Sequence, residues 1–412
     1  MNGKRILIMN RWPDDFADYE KIVDHKENTV FYIVNADGKL GLTAGPEDIA
    51  KLIEVENIED IDVLDAACRE IIDEFGGIDR LIAGSEFDLI QAATIRTRFG
   101  IEGIQEHQVA MYRDKVAMKV RMKREGMRVP HFLDCEDAEG VLTFAAEVGY
   151  PLILKPKAGA ASQGVHKVDD EETLRSLLPT LDFTDYECEE FVEGTIYHVD
   201  GLVYKGEFQF VKVSAYINTC LEFNYGKPLG SYTLQHGPVN DLLEDFTAKT
   251  LQALELTDSA FHLEIIMKNE VEPVFLEIGA RVGGGEITYL YKEMYGIDMV
   301  TQWMKIDAGQ FTGVTLKEDA PKYGGFLMIP QPMGEASEVV AAKSLMGEIP
   351  TMIGEILPKV GQQFTGKGGY LDINGRYMFA GDTLEDVVRD IHATIDNALV
   401  ETKPVEEACA IS

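Results

Sequence analysis

Apolar positions recur along this chain in two rhythms. Short unbroken apolar runs stand at Ile6-Leu7-Ile8-Met9, at Val30-Phe31-Tyr32-Ile33-Val34 and across residues 78–84, as expected of strands buried on both faces. Between them the pattern predicts helices over residues 46–55 and 61–75, the second closed by Gly76-Gly77. Strands alternating with helices predict βαβ units and a parallel sheet, with ligands at the carboxyl ends of the strands. The first run leads into Asn10-Arg11-Trp12-Pro13 rather than G-x-G-x-x-G, so a dinucleotide-binding fold has no direct support.

Further along, residues 108–125 predict a basic helix with Lys115, Lys119 and Lys123 on one stripe, ended by Gly126 and Pro130. A helix over 138–148 closes at Gly149 and leads to a strand over 152–155. Strand-like runs dominate 186–216, with a hairpin signal at Lys205-Gly206. The Gly-rich stretch 217–238 predicts a long loop without structure of its own, which in a compact domain is usually functional or mobile. A helix is expected over 240–256, then two strands around a turn at Asn269-Glu270, and from about residue 321 mixed strands with one helix over 384–400. The tail, 404–412, reads as frayed. No internal repeat or low-complexity tract is present.

At 412 residues, with 45% hydrophobic and 26% charged positions, the chain predicts two or three ordinary globular domains. No apolar run approaches the roughly 18 residues of a membrane span, and the first residues do not read as a signal peptide. Five scattered cysteines without a C-x-x-C pair argue against a disulfide framework or a cysteine zinc site, and fit a reducing cytoplasm. The formal net charge is −33. Such an acidic chain should repel nucleic acid and anionic membranes. The surplus serves solubility, or else attracts cationic substrates.

Four segments offer chemistry. Lys155, at a strand end, precedes Pro156-Lys157-Ala158-Gly159-Ala160-Ala161-Ser162-Gln163-Gly164-Val165. Its small residues would let backbone N–H groups close around phosphate oxygens; the alternative is a solvated flexible loop. It is not a Walker-type site. In the hairpin 261–281 a turn near Asn269-Glu270 sets Glu264 almost opposite Glu277, about 4.5–5.5 Å apart across the ladder. Two carboxylates that close repel unless a cation intervenes, and hard oxygen ligands there suit Mg2+. Arg281, on the same face beyond Gly279, could stabilise a developing anion. The alternative is a surface hairpin whose acids face water. The segment Tyr186-Glu187-Cys188-Glu189-Glu190-Phe191-Val192-Glu193-Gly194 could offer its backbone edge to a purine, or be an ordinary edge strand. Gly283-Gly284-Gly285 before a helix-like run could bind a carboxylate or phosphate through its amides, or be a flexible turn. His198, Asp200 and His236 are available too, although a lone histidine is more often structural.

Taken in order, these elements resemble the ATP-grasp superfamily of carboxylate–amine ligases. The resemblance runs over 113–285: Arg113-Asp114-Lys115, Lys155 before its Gly-rich loop, Glu189-Glu190-Phe191-Val192, Glu264, and Glu277-x-x-x-Arg281. Glu277-Ile278-Gly279-Ala280-Arg281-Val282-Gly283-Gly284 is most similar to the L-amino-acid ligase group, which joins two amino acids at the expense of ATP. The resemblance implies an ATP-grasp fold, mixed α/β and α+β, in three parts: an N-terminal βαβ domain over 1–112, a lid region with the Gly-rich loop over 113–200, and a C-terminal domain with the metal site and a terminal subdomain over 201–412. It implies ATP and Mg2+, with Mn2+ as a substitute. Lys115 and Lys155 would hold phosphates, under a mobile loop containing Ser162 and Gly164. Glu189 would bond the adenine amino group, and the backbone of Glu190 and Val192 its ring edge. Glu264 and Glu277 would hold the metal. Arg281 would be the catalytic cation, stabilising an acyl-phosphate and the tetrahedral intermediate. Gly283, Gly284 and Gly285 would fix a substrate carboxylate.

The chain departs from that pattern in two places. Gly279 stands where the family commonly has Asn, which leaves the number of metal ions open. The usual acidic ribose contact is replaced by Ile196, Tyr197 and His198, of which His198 or Tyr197 would substitute. His236, in the Gly-rich stretch, would approach the acyl acceptor. The reaction implied is an amide bond between two L-amino acids with release of ADP and phosphate, in a chain compatible with a homodimer. Two other readings stay open: loading of an amino acid onto a carrier-protein thiol or an antibiotic amine, and a nucleotide-binding regulator without activity, favoured by Gly279. The acidic surplus, with Glu286, Glu222 and Asp200 as spare carboxylates, points to a basic amino acid as one substrate.

Overall fold

In the computed structural model, residues 3–405 are described, except 15, 17 and 332. The frayed tail expected at the end lies largely beyond them, as does Cys409. The N-terminal apolar runs form β1 (Arg5–Asn10), β2 (Thr29–Val34), β3 (Lys51–Glu54) and β4 (Arg80–Ala83), a parallel sheet in the order β3-β2-β1-β4. The helix Ile61–Phe75 has the expected bounds. Asp60 accepts from the amides of Asp62 and Val63 at its start, and Gly76, at φ 82°, closes it. The helix expected over 46–55 is not there. Pro46–Asp48 makes one 3-10 turn, and the Lys51–Glu54 stretch pairs with β2 instead. A half-apolar segment of that length serves either state, and sheet pairing decided it.

The next four strands, β5 (Phe132–Asp134), β6 (Leu152–Pro156), β7 (His166–Val168) and β8 (Tyr186–Glu190), form an antiparallel sheet in the order β5-β8-β6-β7. It has its own core, with Leu152, Leu154, Val168, Leu174 and Cys188 buried beneath the helices Ala138–Val148 and Glu171–Leu177. β8 is therefore an internal strand and not the edge strand considered from its sequence. The connection that follows it, residues 191–194, is what lies open.

A third, eight-stranded antiparallel sheet carries the rest. Its strands are β9 (Thr195–Tyr204), β10 (Glu207–Ile217), β11 (Leu229–Thr233), β12 (Ser259–Lys268), β13 (Glu272–Gly279) and β14 (Tyr323–Pro330), followed along the chain by β15 (Ser337–Ala342), β16 (Met352–Ile356), β17 (Gln363–Phe364), β18 (Ile373–Gly381) and β19 (Val400–Pro404). The order is β13-β12-β9-β10-β11-β14-β18-β16, while β15, β17 and β19 make a separate three-stranded sheet. Residue 200 falls inside β9, and the helix Lys115–Arg124 packs Met118 and Met122 into the core beneath the large sheet. The four-stranded sheet spans 132–190, inside the 113–200 expected for the lid region. The basic helix expected over 108–125 is broken at Asp114, which caps the Lys115–Arg124 helix by accepting from Val116 and Ala117. The stretch 217–238 is ordered, holding the short helix Cys220–Asn224 and β11. Among the described residues, Cys68, Cys135, Cys188 and Cys220 are free thiols, and no helix is long and apolar enough to cross a membrane.

The N-terminal sheet packs on the large one through the helices Ile287–Tyr295 and Met299–Asp307, in a shared core holding Ile6, Ile8, Tyr32, Trp303, Met304 and Phe326. At the end of the second helix Asp307 meets Arg96 at 3.4 Å. Burial pushes the Asp307 carboxyl up, to about 6, against the pull of Arg96 and Arg80. The folded value lies above the unfolded one, so this group's favourable contribution is complete below about pH 4 and lost as pH rises through 6. Asp307→Asn removes that loss. Urea unfolding at pH 4 and pH 7 should move the variant-minus-parent stability by about 2–3 kcal/mol in the variant's favour, and a difference that stays flat with pH contradicts the assignment.

Candidate active site

The hairpin β12–β13 turns at Asn269 and Glu270, both at positive φ, and the ladder sets Glu264 directly opposite Glu277. Gly279, two residues on, gives its side-chain space to Arg281: a Cβ at Gly279 would stand 3.1 Å from Arg281 Cγ. The arginine stem thus occupies the space that a side chain at position 279 would need. Burial alone would push the Glu277 carboxyl up, but Lys115, Lys155 and Arg281 hold it down at about 2. Lys115 Nζ stands 3.2 Å from Glu277. Glu264 accepts from the Tyr216 hydroxyl at 3.1 Å, with His262 Nε2 at 3.6 Å.

Two cavities meet at these carboxylates. One, of about 180 Å3, runs between the lid and the large sheet, lined by Lys115, Lys155, Ser162, Glu189, Glu190, Val192 and Ile196. The other, of about 450 Å3, lies between the large sheet and the N-terminal domain, lined by Trp12, Phe87, Arg281, Gly283, Gly284, Gly285 and Arg376. Glu264, Glu277, Ser162, Tyr216 and Cys220 line both. A ligand in the first and a ligand in the second would touch across the two acids.

The first cavity rests on a buried ion lattice. Lys119, fully buried, stands 2.5 Å from Glu187 and 2.8 Å from Glu189, and Lys155 is 2.7 Å from Glu189. Burial disfavours the Lys155 ammonium, but Glu189, Glu187 and Glu277 together raise its pKa. Burial likewise pushes Glu189 up, and the two lysines bring it below the usual carboxylate range. The carboxylate expected to meet an adenine amino group is thus already engaged by two lysines. Glu190 pairs with Arg128, and its amide donates to His131 O at 2.8 Å. The Gly-rich loop turns through Ala161 and Ser162, at φ 54° and 52°, and the Asn224 amide donates to both of their carbonyls. Gly164 lies on that loop but not on either cavity wall. A Cβ there would meet the Tyr186 hydroxyl at 2.8 Å.

The structure does not bring the two histidines to the site as expected. His198, 1% exposed, is bonded through Nδ1 to Asp200 at 2.5 Å and through Nε2 to Ser231 at 2.6 Å, so it cannot reach a ribose. Tyr197 faces the opposite side of β9 and packs on the core beneath it. His236 is 88% exposed beside Asp241 and lines neither cavity. Strand alternation turns Tyr197 away, whereas His198, opposite Glu264 in the ladder, is held back by its bonds to Asp200 and Ser231, and His236 follows β11 in the ordered stretch 217–238. The three carboxylates offered for a basic side chain are also committed. Asp200 lies between His198 and His262, Glu222 caps the Cys220–Asn224 helix and pairs with Lys227, and Glu286 pairs with Arg376.

Sequence reasoning missed Glu86, Lys119's buried role and Arg376. Glu86 bonds Arg281 Nε at 2.7 Å and pairs with Arg113. Burial pushes its carboxyl up, and the two guanidiniums more than offset this. Its signal was faint: an acid at the carboxyl end of β4, where parallel sheets place ligands. Asp200, His198 and His262 also approach one another closely enough to hold a metal ion, but His198 and Asp200 are bonded to one another and His198 also to Ser231, which reads as a hydrogen-bonded support.

Residues 112–285 match the ATP-grasp domain family. An L-arginine-specific L-amino acid ligase of Bacillus subtilis is 28% identical over 254 residues, 60% of this chain and 61% of that protein. The chain therefore matches less than two thirds of that relative's length. The crystal structure of an L-amino acid ligase from Bacillus licheniformis superposes with a TM-score of 0.73 at 16% identity, covering 97% of this chain and 99% of that one. The biotin carboxylase domain dimer of the Hydrogenobacter thermophilus 2-oxoglutarate carboxylase, in complex with MgADP, superposes with a TM-score of 0.65 at 17% identity, covering 98% and 91%. This chain has the ATP-grasp fold, and residues 112–285 are the stretch that matches the ATP-grasp domain family.

Lys119→Met leaves Glu187 and Glu189 with Lys155 alone. Breaking a buried pair costs about 3–5 kcal/mol, read from the urea midpoint of the isolated protein. A loss below about 1 kcal/mol would mean that the two acids are not held by this lysine.

Proposed function

We propose that this chain joins two L-amino acids through an amide bond, consuming ATP and releasing ADP and phosphate. The observation that carries the reading is the meeting of two cavities at Glu264 and Glu277. A nucleotide in the narrow cavity would present its terminal phosphate to a carboxylate in the wide one. The L-amino-acid ligase relatives support the same chemistry.

The donor set fits a divalent ion: two facing carboxylates, one of them kept ionised by surrounding cations. Glu264 and Glu277 would hold Mg2+, or Mn2+ in its place, which would supply charge compensation to the phosphates. The protein supplies the rest. Lys115 and Lys155 compensate the triphosphate, and the Gly159–Gly164 segment covers it. Val192, whose amide has no acceptor among the described residues, offers the connection after β8 to the purine edge. A substrate carboxylate then takes the terminal phosphoryl group, becoming an acyl-phosphate. The amine of the second amino acid attacks that carbonyl, and phosphate departs with the C–O bond electrons. Arg281, oriented by Glu86, stabilises the oxyanion. Closure excludes water, which would otherwise hydrolyse the activated acyl group.

L-arginine enters any substrate panel on the strength of the B. subtilis relative, since Asp200, Glu222 and Glu286 are all committed. Phosphate release from MgATP over pairs of L-amino acids, with mass spectrometry for the dipeptide, tests the reading. Glu277→Gln should abolish release. Arg281→Ala should lower turnover by about 10²–10³-fold, the effect of removing one oxyanion donor, while a non-hydrolysable ATP analogue still binds within a few-fold. Turnover of Arg281→Ala at the parent rate, or no phosphate release by the parent with any pair, sinks the proposal.

A further inference from the structure

The wide cavity holds a second guanidinium. Arg376 lies on β18, with Cα partner Met328 on β14, and shares its strand face with Met378 and Ala380, the face turned to the core beneath the Ile287–Tyr295 helix. β18 is separated from β13 by five strands, yet Arg281 and Arg376 line one cavity, so the sheet curls around it. Arg376 is also outside the residues that match the ATP-grasp domain.

Its environment is asymmetric. Nη1 donates to Glu286 Oε1 at 2.6 Å, and Glu286 is 1% exposed while the arginine side chain is 37% exposed. A guanidinium carries five N–H donors in a planar fork. Among the described residues no second acceptor takes the remainder. Two partners buried together would read as packing. A buried acid holding one prong of a cavity-lining arginine instead orients the fork toward whatever fills the cavity. Beside it stands the glycine turn. Gly284 has no heavy atom within 4 Å of its Cβ direction, so the backbone there is open, and Gly285 stands against Met328, the strand partner of Arg376. Fork and open amides together match a carboxylate.

In the proposed reaction one substrate carboxylate is consumed and the other survives. The first must approach the nucleotide at Glu264 and Glu277, near Arg281. We propose that Arg376, oriented by Glu286, binds the surviving carboxylate of the acyl acceptor, so that the enzyme selects free amino acids over their amides or esters. This rests on the ligase reading and adds to it the acceptor's recognition group.

The test is binding and turnover with L-alanine, L-leucine, L-phenylalanine and L-arginine, each beside its carboxamide. In the presence of MgATP the parent should prefer the acid over the amide as acceptor by at least tenfold in kcat/KM. Arg376→Ala should raise acceptor KM for the acids tenfold or more, leave amide turnover and KM for ATP within about twofold, and so erase the preference. Retained amide turnover shows that the variant folds with Glu286 unpaired. Arg376→Lys, a cation without the fork, should recover part of the preference. An acid-over-amide preference that survives Arg376→Ala, or an equal rise in KM for acid and amide, overturns the assignment. Calorimetric binding of the same pairs, with a non-hydrolysable ATP analogue, separates the two claims. If the parent binds acids over amides through Arg376 but releases no phosphate, the ligase reading fails and the carboxylate site stands.

Discussion

Everything at this site depends on one alternating chain of buried charges. It starts at Lys119, passes through Glu187 and Glu189 to Lys155, reaches Glu277 with Lys115 at its side, and continues through Arg281 and Glu86 to Arg113. The lid sheet contributes β6 and β8, the large sheet β13, the capped helix Lys115 and Lys119, and the N-terminal domain Glu86. No single domain could keep its share ionised away from water, because desolvating one unpaired ion costs several kcal/mol. Each charge is tolerable only while its neighbours in the other domains stay in place. The same arrangement leaves cations facing the space where a triphosphate would add negative charge.

A second network holds the strands around Glu264 still. Asp200 lies fully buried between His198 and His262, kept far below the usual carboxylate range by both imidazoles despite its burial. His262 in turn is raised to about 9, Asp200 outweighing the cost of burial. Its Nε2 faces Glu264, and a Cβ at Gly283 would collide with Asp200 at 2.4 Å. One cluster therefore fixes both the rotamer of Glu264 and the path of the glycine turn. That is the physical reason His198 has no spare nitrogen for a ligand, whatever its place in the motif order suggests.

How much of this was legible in the residues follows from the range of the forces involved. Cross-strand opposition of Glu264 and Glu277 follows from a turn at Asn269-Glu270 and strand alternation, both local, and the helix Ile61–Phe75 follows from its cap and closing glycine. The order Lys155, glycine loop, Glu264, Glu277, Arg281 carried the resemblance to the ATP-grasp fold. What escaped was settled at long range. The Lys51–Glu54 stretch became a strand by pairing with β2, and 217–238 became ordered because β11 is needed between β10 and β14. Glu86 meets Arg281 across 195 residues, and Arg376 meets Glu286 across 90. No periodicity announces such pairs, and Glu286 read alone looked like a spare acid.

The two cavities differ in a way that bears on how closure must work. The narrow one is walled on one side by the Gly-rich loop, whose strained turn at Ala161 and Ser162 is tied to Asn224 on the large sheet side. Positive φ at non-glycine residues persists only where surrounding contacts hold it. The loop thus bridges lid and large sheet, and Ser162 borders both cavities. Displacing the loop from the narrow cavity would break the Asn224 bonds and shift a wall that the wide cavity shares. Access to one space is thereby coupled to the shape of the other.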